Sequence, residues 1–532
     1  MTETLKRAGR REWTGLAALV LPGLLVAMDL SILFFALPFL SADLEPTATQ
    51  QLWIMDVYGF MMAGLLITMG TLGDRIGRRT LLMFGAAAFG LASVVAAYST
   101  SPEMLIAARA LMGLGGATLA PSTLSLIRNM FHEPSQRRTA IGVWTAGFAG
   151  GAFLGPVVGG LMLEHFWWGS AFMLNVPVMV LLLVLAPLLL PEFRDPKVGR
   201  FDLVSAVLSL AAVLPVIYGL KRLAEDLQVD PVAVLSVMTG LLMGVVFVRR
   251  QRRLADPMID VTLFGHRSFS VSITATMITS FALMGTSLFS AQYLQLVLGL
   301  RPFVAALWTL PGMVTLSIGI TAATMLARRT RPAYVVGAGL AIAATGFGTT
   351  AQVGGGHDLA VLITGLSVMT LGMGMVSALA TDMVMSTAPA QRAGAASALS
   401  ETANEFGGAL GIAVLGSFGV AIYRHLMGDA VPAGVPEAAA EVARETRGGA
   451  EAVASGLPGD LGSALLDAAD RAFTQGLTTA ALAGAVTLVV GSILVAVLLR
   501  DVRLVGAAPG EPDAADTAVE PGDASELARA ER

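Results

Sequence analysis

Four carboxylates and one guanidinium stand inside runs of apolar residues, where little water reaches them. Asp29 lies in LLVAMDLSILFFALPFL, Asp56 in QLWIMDVYGFMM, Arg109 in MLIAARALMGLGG, and Glu401 with Glu405 in SALSETANEFGGALGIAVLG. Glu401 and Glu405 are four residues apart and share one face of any helix they occupy. A carboxyl pair removed from water can hold one shared proton or, once deprotonated, present negative charge to a cation. Proton and cation then compete for the same groups, and that competition is the chemistry of antiport. Aromatic residues at Trp53, Tyr58, Trp144, Phe148, Phe289 and Tyr293, with the amides Gln292 and Gln295, are candidates to line a cavity for a lipophilic cation through cation–π contact. The plainer reading of such aromatics is packing or an interfacial belt.

Other chemistries are excluded. The 532 residues contain no cysteine, and the five histidines show no metal-ligand spacing. There is no phosphate-binding loop and no nucleophile–base set, so neither an ATP-driven pump nor an enzyme is expected, and no cofactor. A metal site is not expected either.

The elements that position these groups follow from composition. The chain is 55% hydrophobic and 14% charged, whereas a soluble protein carries about a quarter charged residues. Apolar runs of roughly 20 residues alternate with short charged stretches, as in an all-α polytopic membrane protein. Fourteen spans are expected, near residues 14–40, 52–72, 80–99, 103–127, 139–163, 168–190, 203–221, 230–248, 269–293, 304–326, 333–352, 358–380, 397–423 and 475–499. Starting inside, alternation places Arg75, Arg78, Arg79, Arg249, Arg250, Arg252 and Arg253 in cytoplasmic loops, and few basic residues outside. That asymmetry obeys the positive-inside rule and puts both termini in the cytoplasm. Asp29 then lies about 16 Å from the outer end of span 1, near the midplane. Asp56 falls near the outside mouth.

The expected organisation is an N-terminal six-helix bundle (1–200), two accessory helices (201–255) and a C-terminal six-helix bundle (256–504). The last contains a long extracytoplasmic loop, 425–473, and residues 505–532 read as a disordered cytoplasmic tail. TLGDRIGRRTLL after span 2 has a worn counterpart, MLARRTRPAYVV, after span 10, and repeated halves mark secondary transporters. In the first of these, Asp74 is placed to cap span 3 and accept hydrogen bonds from arginines. Span 5 carries Gly151, Gly155 and Gly159 at four-residue intervals, beside Pro156 and Gly160. This is a small-residue packing face with a proline bend.

The loop GDRIGRR (Gly73, Asp74, Arg75, Gly77, Arg78, Arg79), with LMGLGGATLAPSTLSLIR and GFAGGAFLGPVVGG, resembles the major facilitator superfamily. The segments TQQLWIMDVYGFMMAGLL, GPVVGGLMLEHFWWGSAF, DPMIDVTLFGHRSFS and GAASALSETANEFG resemble its fourteen-helix drug:proton antiporters, the QacA, SmvA and LfrA type, over nearly the whole chain. The resemblance implies a cytoplasmic gating loop at Gly73–Arg79 and a flexing hinge at Gly151, Gly155, Pro156, Gly159 and Gly160. It implies proton coupling through Asp29, Asp56, Glu405 and Arg109, with Glu401 among the cation-binding acids. The chain departs from QacA in LPGMVTLSIG, which is uncharged, and at Ser400, which stands where QacA carries a further Glu; one cation against protons is therefore expected.

The function expected is proton-driven export of lipophilic cations, such as quaternary ammonium biocides and ethidium, across a bacterial inner membrane. The partners are the lipid bilayer, protons and those cations, with no nucleic acid, and the protein acts as a monomer. The alternative is a dedicated exporter of one endogenous metabolite or antibiotic, or of a lipid.

Overall fold

Hydrocarbon offers backbone groups no hydrogen-bond partner, so each apolar run must satisfy its own N–H and C=O groups by coiling into a helix. A computed structural model describes residues 7–498, apart from 195–201, 227–229, 255, 256, 258, 260, 328, 355–358 and 388–392. Among the described residues, fourteen helices are long and apolar enough to cross a membrane, matching the expected number. The first six are α1 (Arg10–Leu44), α2 (Ala48–Ile76), α3 (Arg78–Ala97), α4 (Pro102–Met130), α5 (Pro134–His165) and α6 (Ser170–Met173 and Asn175–Leu189). Then come α7 (Leu203–Asp226), α8 (Pro231–Gln251), α9 (Arg267–Gln292, ending in a π-helical turn, Tyr293–Val297) and α10 (Pro302–Leu307 and Leu310–Leu326). They are followed by α11 (Pro332–Thr350), α12 (Leu359–Thr387) and α13, which runs Ala393–Gly411, a π-helical turn Ile412–Gly416, then Ser417–Ala430. Two short helices, α14 (Glu437–Glu445) and α15 (Arg447–Ser455), precede the last span, α16 (Gly459–Leu498).

Local signals start the helices. Thr47 and Gln50 form a reciprocal capping box on α2, with Thr47 Oγ1 accepting from the Gln50 N–H at 3.2 Å. Ser101 caps α4 just ahead of Pro102.

Helices α1–α6 pack on one another, as do α9–α13 with α16, giving two six-helix bundles; α7 and α8 pair closely, and α7 lies against α2 and α13. The spaced glycines of α5 bring it onto α1. A side chain at Gly151 would strike the Leu24 carbonyl, one at Gly155 the Met28 backbone and Ser31, and one at Gly159 Ile32. Gly160 faces the other way and meets Pro302 and Phe303 of α10, across the bundle boundary. Asp202 caps α7 and accepts from Arg250 of α8 at 2.8 Å. Burial pushes its carboxyl up, but the hydrogen bonds from Arg250 and Ser205 outweigh this and hold it below the usual carboxylate range.

At the end opposite the α2–α3 loop the bundles meet through a helical hairpin. The stretch expected as a loop, 425–473, is the last turn of α13, then α14, α15 and the first turns of α16. Arg447, buried, binds Asp470 at 2.5 Å and Glu451 at 3.1 Å and donates to the Leu296 carbonyl of α9 at 2.8 Å. The Ala48 N–H of α2 donates to Glu445 at 3.1 Å, and a Cβ on Gly448 would lie 3.2 Å from Cβ of Ser41 in α1. A polar pocket of about 670 Å³ opens above this seal, lined in part by Glu45, Arg424, His425 and Glu441; none of the four membrane acids borders it.

Gly151→Leu should prevent α1 from seating on α5 and cost at least about 1–3 kcal/mol, read as a lowered melting temperature of the purified protein. Gly150→Ala, where nothing lies within 4 Å, should leave it unchanged. Because the chain has no cysteine, Ser41→Cys/Gly448→Cys makes a clean pair. Its Cβ separation is near that of a disulfide, so oxidation should cross-link α1 to α15 and arrest transport until a reductant is added.

Candidate functional site

The buried charge begins at Asp29. It is 5% exposed and pairs with Arg109 of α4, which is fully buried. Arg109 Nε also donates to the Ile54 carbonyl of α2 at 3.2 Å, and its guanidinium lies 4.6 Å from the ring centre of Tyr58. Asn175, at the restart of α6, donates to the second Asp29 oxygen at 3.2 Å and lies 3.3 Å from Ser93 Oγ. Four helices therefore converge on one ion pair. Gly113 and Gly116 let α4 approach Tyr58 this closely, since a Cβ at Gly116 would sit 3.1 Å from the phenol oxygen. The Tyr58 hydroxyl and Arg109 Nη2 are buried with no hydrogen-bond partner among the described residues. A guanidinium donor and a phenol hydroxyl beside the pair are thus left to bond a water or a ligand acceptor.

Asp56 forms a second centre. It is 1% exposed, inside α2 rather than at a wet mouth, and both its oxygens contact Lys221 Nζ, at 2.9 and 2.8 Å. Lys221, expected at the outer end of span 7, is itself buried and lies 4.0 Å from the ring centre of Trp53.

Glu401 and Glu405 contrast with both. They are half-buried on α13 and form no ion pair among the described residues. The Glu405 carbonyl and Ala409 lie against Gly59 of α2, at 3.9 and 3.2 Å from the position of a Cβ there. Phe406 packs edge-on against Phe60, with ring centres 6.4 Å apart. The α13 acids thus sit on the helix that meets α2 beside Tyr58 and one turn from Asp56. Ser280 of α9 donates to Asn404 and fixes the other side of α13.

The comparisons with known proteins agree with this architecture. A sequence model described as Major Facilitator Superfamily matches residues 19–412. The chain belongs to the major facilitator superfamily. It is 44% identical to the multidrug efflux pump LfrA of Mycolicibacterium smegmatis, over 94% of this chain and 98% of that protein. It is 38% identical to the methyl viologen resistance protein SmvA of Salmonella typhimurium, over 87% and 93% of the two chains. The puromycin resistance protein of Streptomyces alboniger is 33% identical, over 76% and 81%. Among solved structures, an inward-facing, unoccupied bacterial homologue of the human lysosomal transporter Spinster superposes with a TM-score of 0.63. That match covers 93% of this chain and 98% of that one at 18% identity, and it bears on the fold alone.

The remaining expected site residues of this superfamily transporter fall in three places. In the loop after α2, Asp74 does not cap α3; it lies inside α2 and accepts from Arg78 Nε at 2.7 Å. The cap is Glu192, which follows α6 and accepts from the N–H groups of Arg79 and Thr80 at 3.1 and 3.2 Å. Gly77, at φ 114°, leaves room for that carboxylate, which any side chain there would strike. Arg79 also donates to the Leu190 carbonyl, and Arg75 is exposed. All described partners of the loop, from Gly73 to Arg79, lie in the N-terminal bundle.

Trp144 and Phe148 stack on α5 beside Gly23 of α1, with Trp144 Nε1 donating to Thr123 at 3.2 Å. This is about 9 Å along α1 from Asp29. Gln292 lies in the outer seal with Gln51, Tyr423 and Arg447, outward of Asp56. Phe289 packs on Phe473 there at 5.9 Å, Tyr293 is buried, and Gln295 turns back onto the Ala291 carbonyl.

Asn175, Lys221 and Glu192 were absent from the sequence-based site. A lone polar residue near the end of an apolar run carries no periodic signal, and only the tertiary fold supplies its partner.

Removing one member of a buried pair strands the other. Arg109→Gln should therefore destabilise by about 3–5 kcal/mol, and Asp29→Asn/Arg109→Gln by distinctly less, read as melting temperatures in a double-mutant cycle. A double-mutant loss equal to the sum of the Asp29→Asn and Arg109→Gln single losses would show that the two side chains are not coupled.

Proposed function

We propose that the chain is a proton-coupled antiporter that exports lipophilic cations, acting in a bacterial inner membrane with both termini cytoplasmic. One observation carries this reading: Asp29 and Asp56 of the N-terminal bundle are neutralised by Arg109 and Lys221, whereas Glu401 and Glu405 form no ion pair among the described residues. An unpaired carboxylate pair within a membrane span is a functional site by default, because keeping bare charge there is costly. Glu405 is assigned the exchange of proton for cation and Glu401 the substrate range. The Asp29–Arg109 pair is assigned the coupling step, since Arg109 bridges α1, α2 and α4 and any change in Asp29 protonation frees it to shift. Trp144 and Phe148 are assigned to hold the apolar part of the cation. The proton gradient supplies the drive, with no cofactor and no covalent chemistry. The names of LfrA and SmvA, a multidrug pump and a methyl viologen resistance protein, support the substrate class.

A second reading is a dedicated exporter of one natural product. It is favoured by the resemblance to puromycin resistance and tetracenomycin C export proteins, the latter 30% identical.

Reconstituted protein separates them. In proteoliposomes with an imposed pH gradient, ethidium or tetraphenylphosphonium should drive luminal pH change in wild type. Asp29→Asn and Glu405→Gln should each abolish it, while Glu401→Gln should alter the ranking of cations more than the coupling. Response to no lipophilic cation favours the dedicated exporter, and normal pumping by both Asp29→Asn and Glu405→Gln overturns the coupling assignment.

A further inference from the structure

Lysine is rare in this chain, occurring only at residues 6, 197 and 221, and Lys221 is buried within a transmembrane helix. It projects from α7, one of the two helices that the six-plus-six arrangement leaves over. Yet α7 is not a lipid-facing ornament. Its Ser209 donates to the Gly64 carbonyl of α2 at 3.1 Å, and Leu210 fits over Gly64. Ile217 is buried in one cluster with Phe60 of α2 and with Ala409 and Ala413 of α13. The helix therefore occupies the groove where α2 of one bundle meets α13 of the other.

At the outer end of that groove Lys221 meets a carboxylate on two oxygens and an indole face at 4.0 Å. An acid beside an aromatic face is the recognition chemistry that an organic cation demands. Here both parts are satisfied by an ammonium of the protein's own chain. We infer that Lys221 is a tethered occupant of a cation site formed by Asp56 and Trp53, and that it sets specificity by keeping this site closed to exported cations. The inference rests on the export reading above and deepens it. With Asp56 occupied, the carboxylates left free for substrate charge are those of α13, two residues on one helix face. A dication, whose two charges need separated partners, is held poorly. The accessory helices thereby become a specificity element rather than a spacer.

The test uses full-length protein in nanodiscs, with tetraphenylphosphonium as monocation and methyl viologen as dication. Lys221→Gln should bind methyl viologen about tenfold more tightly than wild type, the gain of one added ionic and aromatic contact, while tetraphenylphosphonium changes by less than about threefold. The gain should vanish in Lys221→Gln/Asp56→Asn and shrink in Lys221→Gln/Trp53→Leu. Lys221→Met carries the same expectation and replaces the Gln variant if that one does not fold. An unchanged dication-to-monocation ratio, in a wild type that binds tetraphenylphosphonium, overturns this inference and leaves the export reading standing; Lys221 is then a structural counter-ion alone. A wild type that binds neither probe overturns the export reading, and this inference with it.

Discussion

The high cost of unneutralised charge in hydrocarbon is the constraint on which the rest of this structure depends. A carboxylate there must be paired, or its cost must be offset by what it does. The four buried acids divide on this criterion. Asp29 and Asp56 belong to the N-terminal bundle and are matched by Arg109 of the same bundle and Lys221 of the accessory helix α7. Glu401 and Glu405, half-buried on α13, form no ion pair among the described residues. The matched and the unmatched carboxylates therefore fall on different bundles.

Helix α13 also lies between the bundles, against α9 on one side and α2 on the other. Gly407 and Gly411 put α13 directly against the backbone of α9 at Met277 and Phe281, with no side chain between them. Just beyond lies the π-helical turn Ile412–Gly416, a local irregularity of the kind that recurs at functional sites. Side chains lock both faces as well: Ser280 of α9 donates to Asn404, and Phe406 packs on Phe60 of α2. Glu405 thus lies two residues from Gly407, where α13 meets the α9 backbone, on the segment that lies between the bundles.

How much of this was legible in the sequence depended on whether the signal was local. Span number, the acids and the glycine face of α5 were readable because hydropathy, burial cost and four-residue spacing are properties of one segment. Asp74 was recognised as a partner of arginine, but its assignment as a cap failed because Glu192, more than a hundred residues later, reaches the α3 amides first. Lys221 looked like a boundary residue and Asp56 like a mouth residue for the same reason: each lies near the end of its own apolar run. Only the docking of α7 on α2 turns two apparent edge charges into one buried pair. The outer hairpin was hidden because α14 and α15 are short and polar and owe their place to tertiary contacts.

The hairpin also carries a directional argument. Its contacts with the C-terminal bundle are strong: Arg447 is buried and binds Asp470 of α16 and the Leu296 carbonyl of α9, and Tyr423 donates to the Ala443 carbonyl. Toward the N-terminal bundle, among the described residues, the Ala48 N–H donates to the Glu445 carboxylate and Gly448 makes a small-residue contact with Ser41. A buried charged anchor costs several kcal/mol to break, whereas one hydrogen bond at a partly wet surface nets about 1 kcal/mol. The hairpin is therefore a part of the C-terminal bundle laid against the N-terminal one, and of its two attachments the seam at Ala48–Glu445 and Gly448–Ser41 is the weaker.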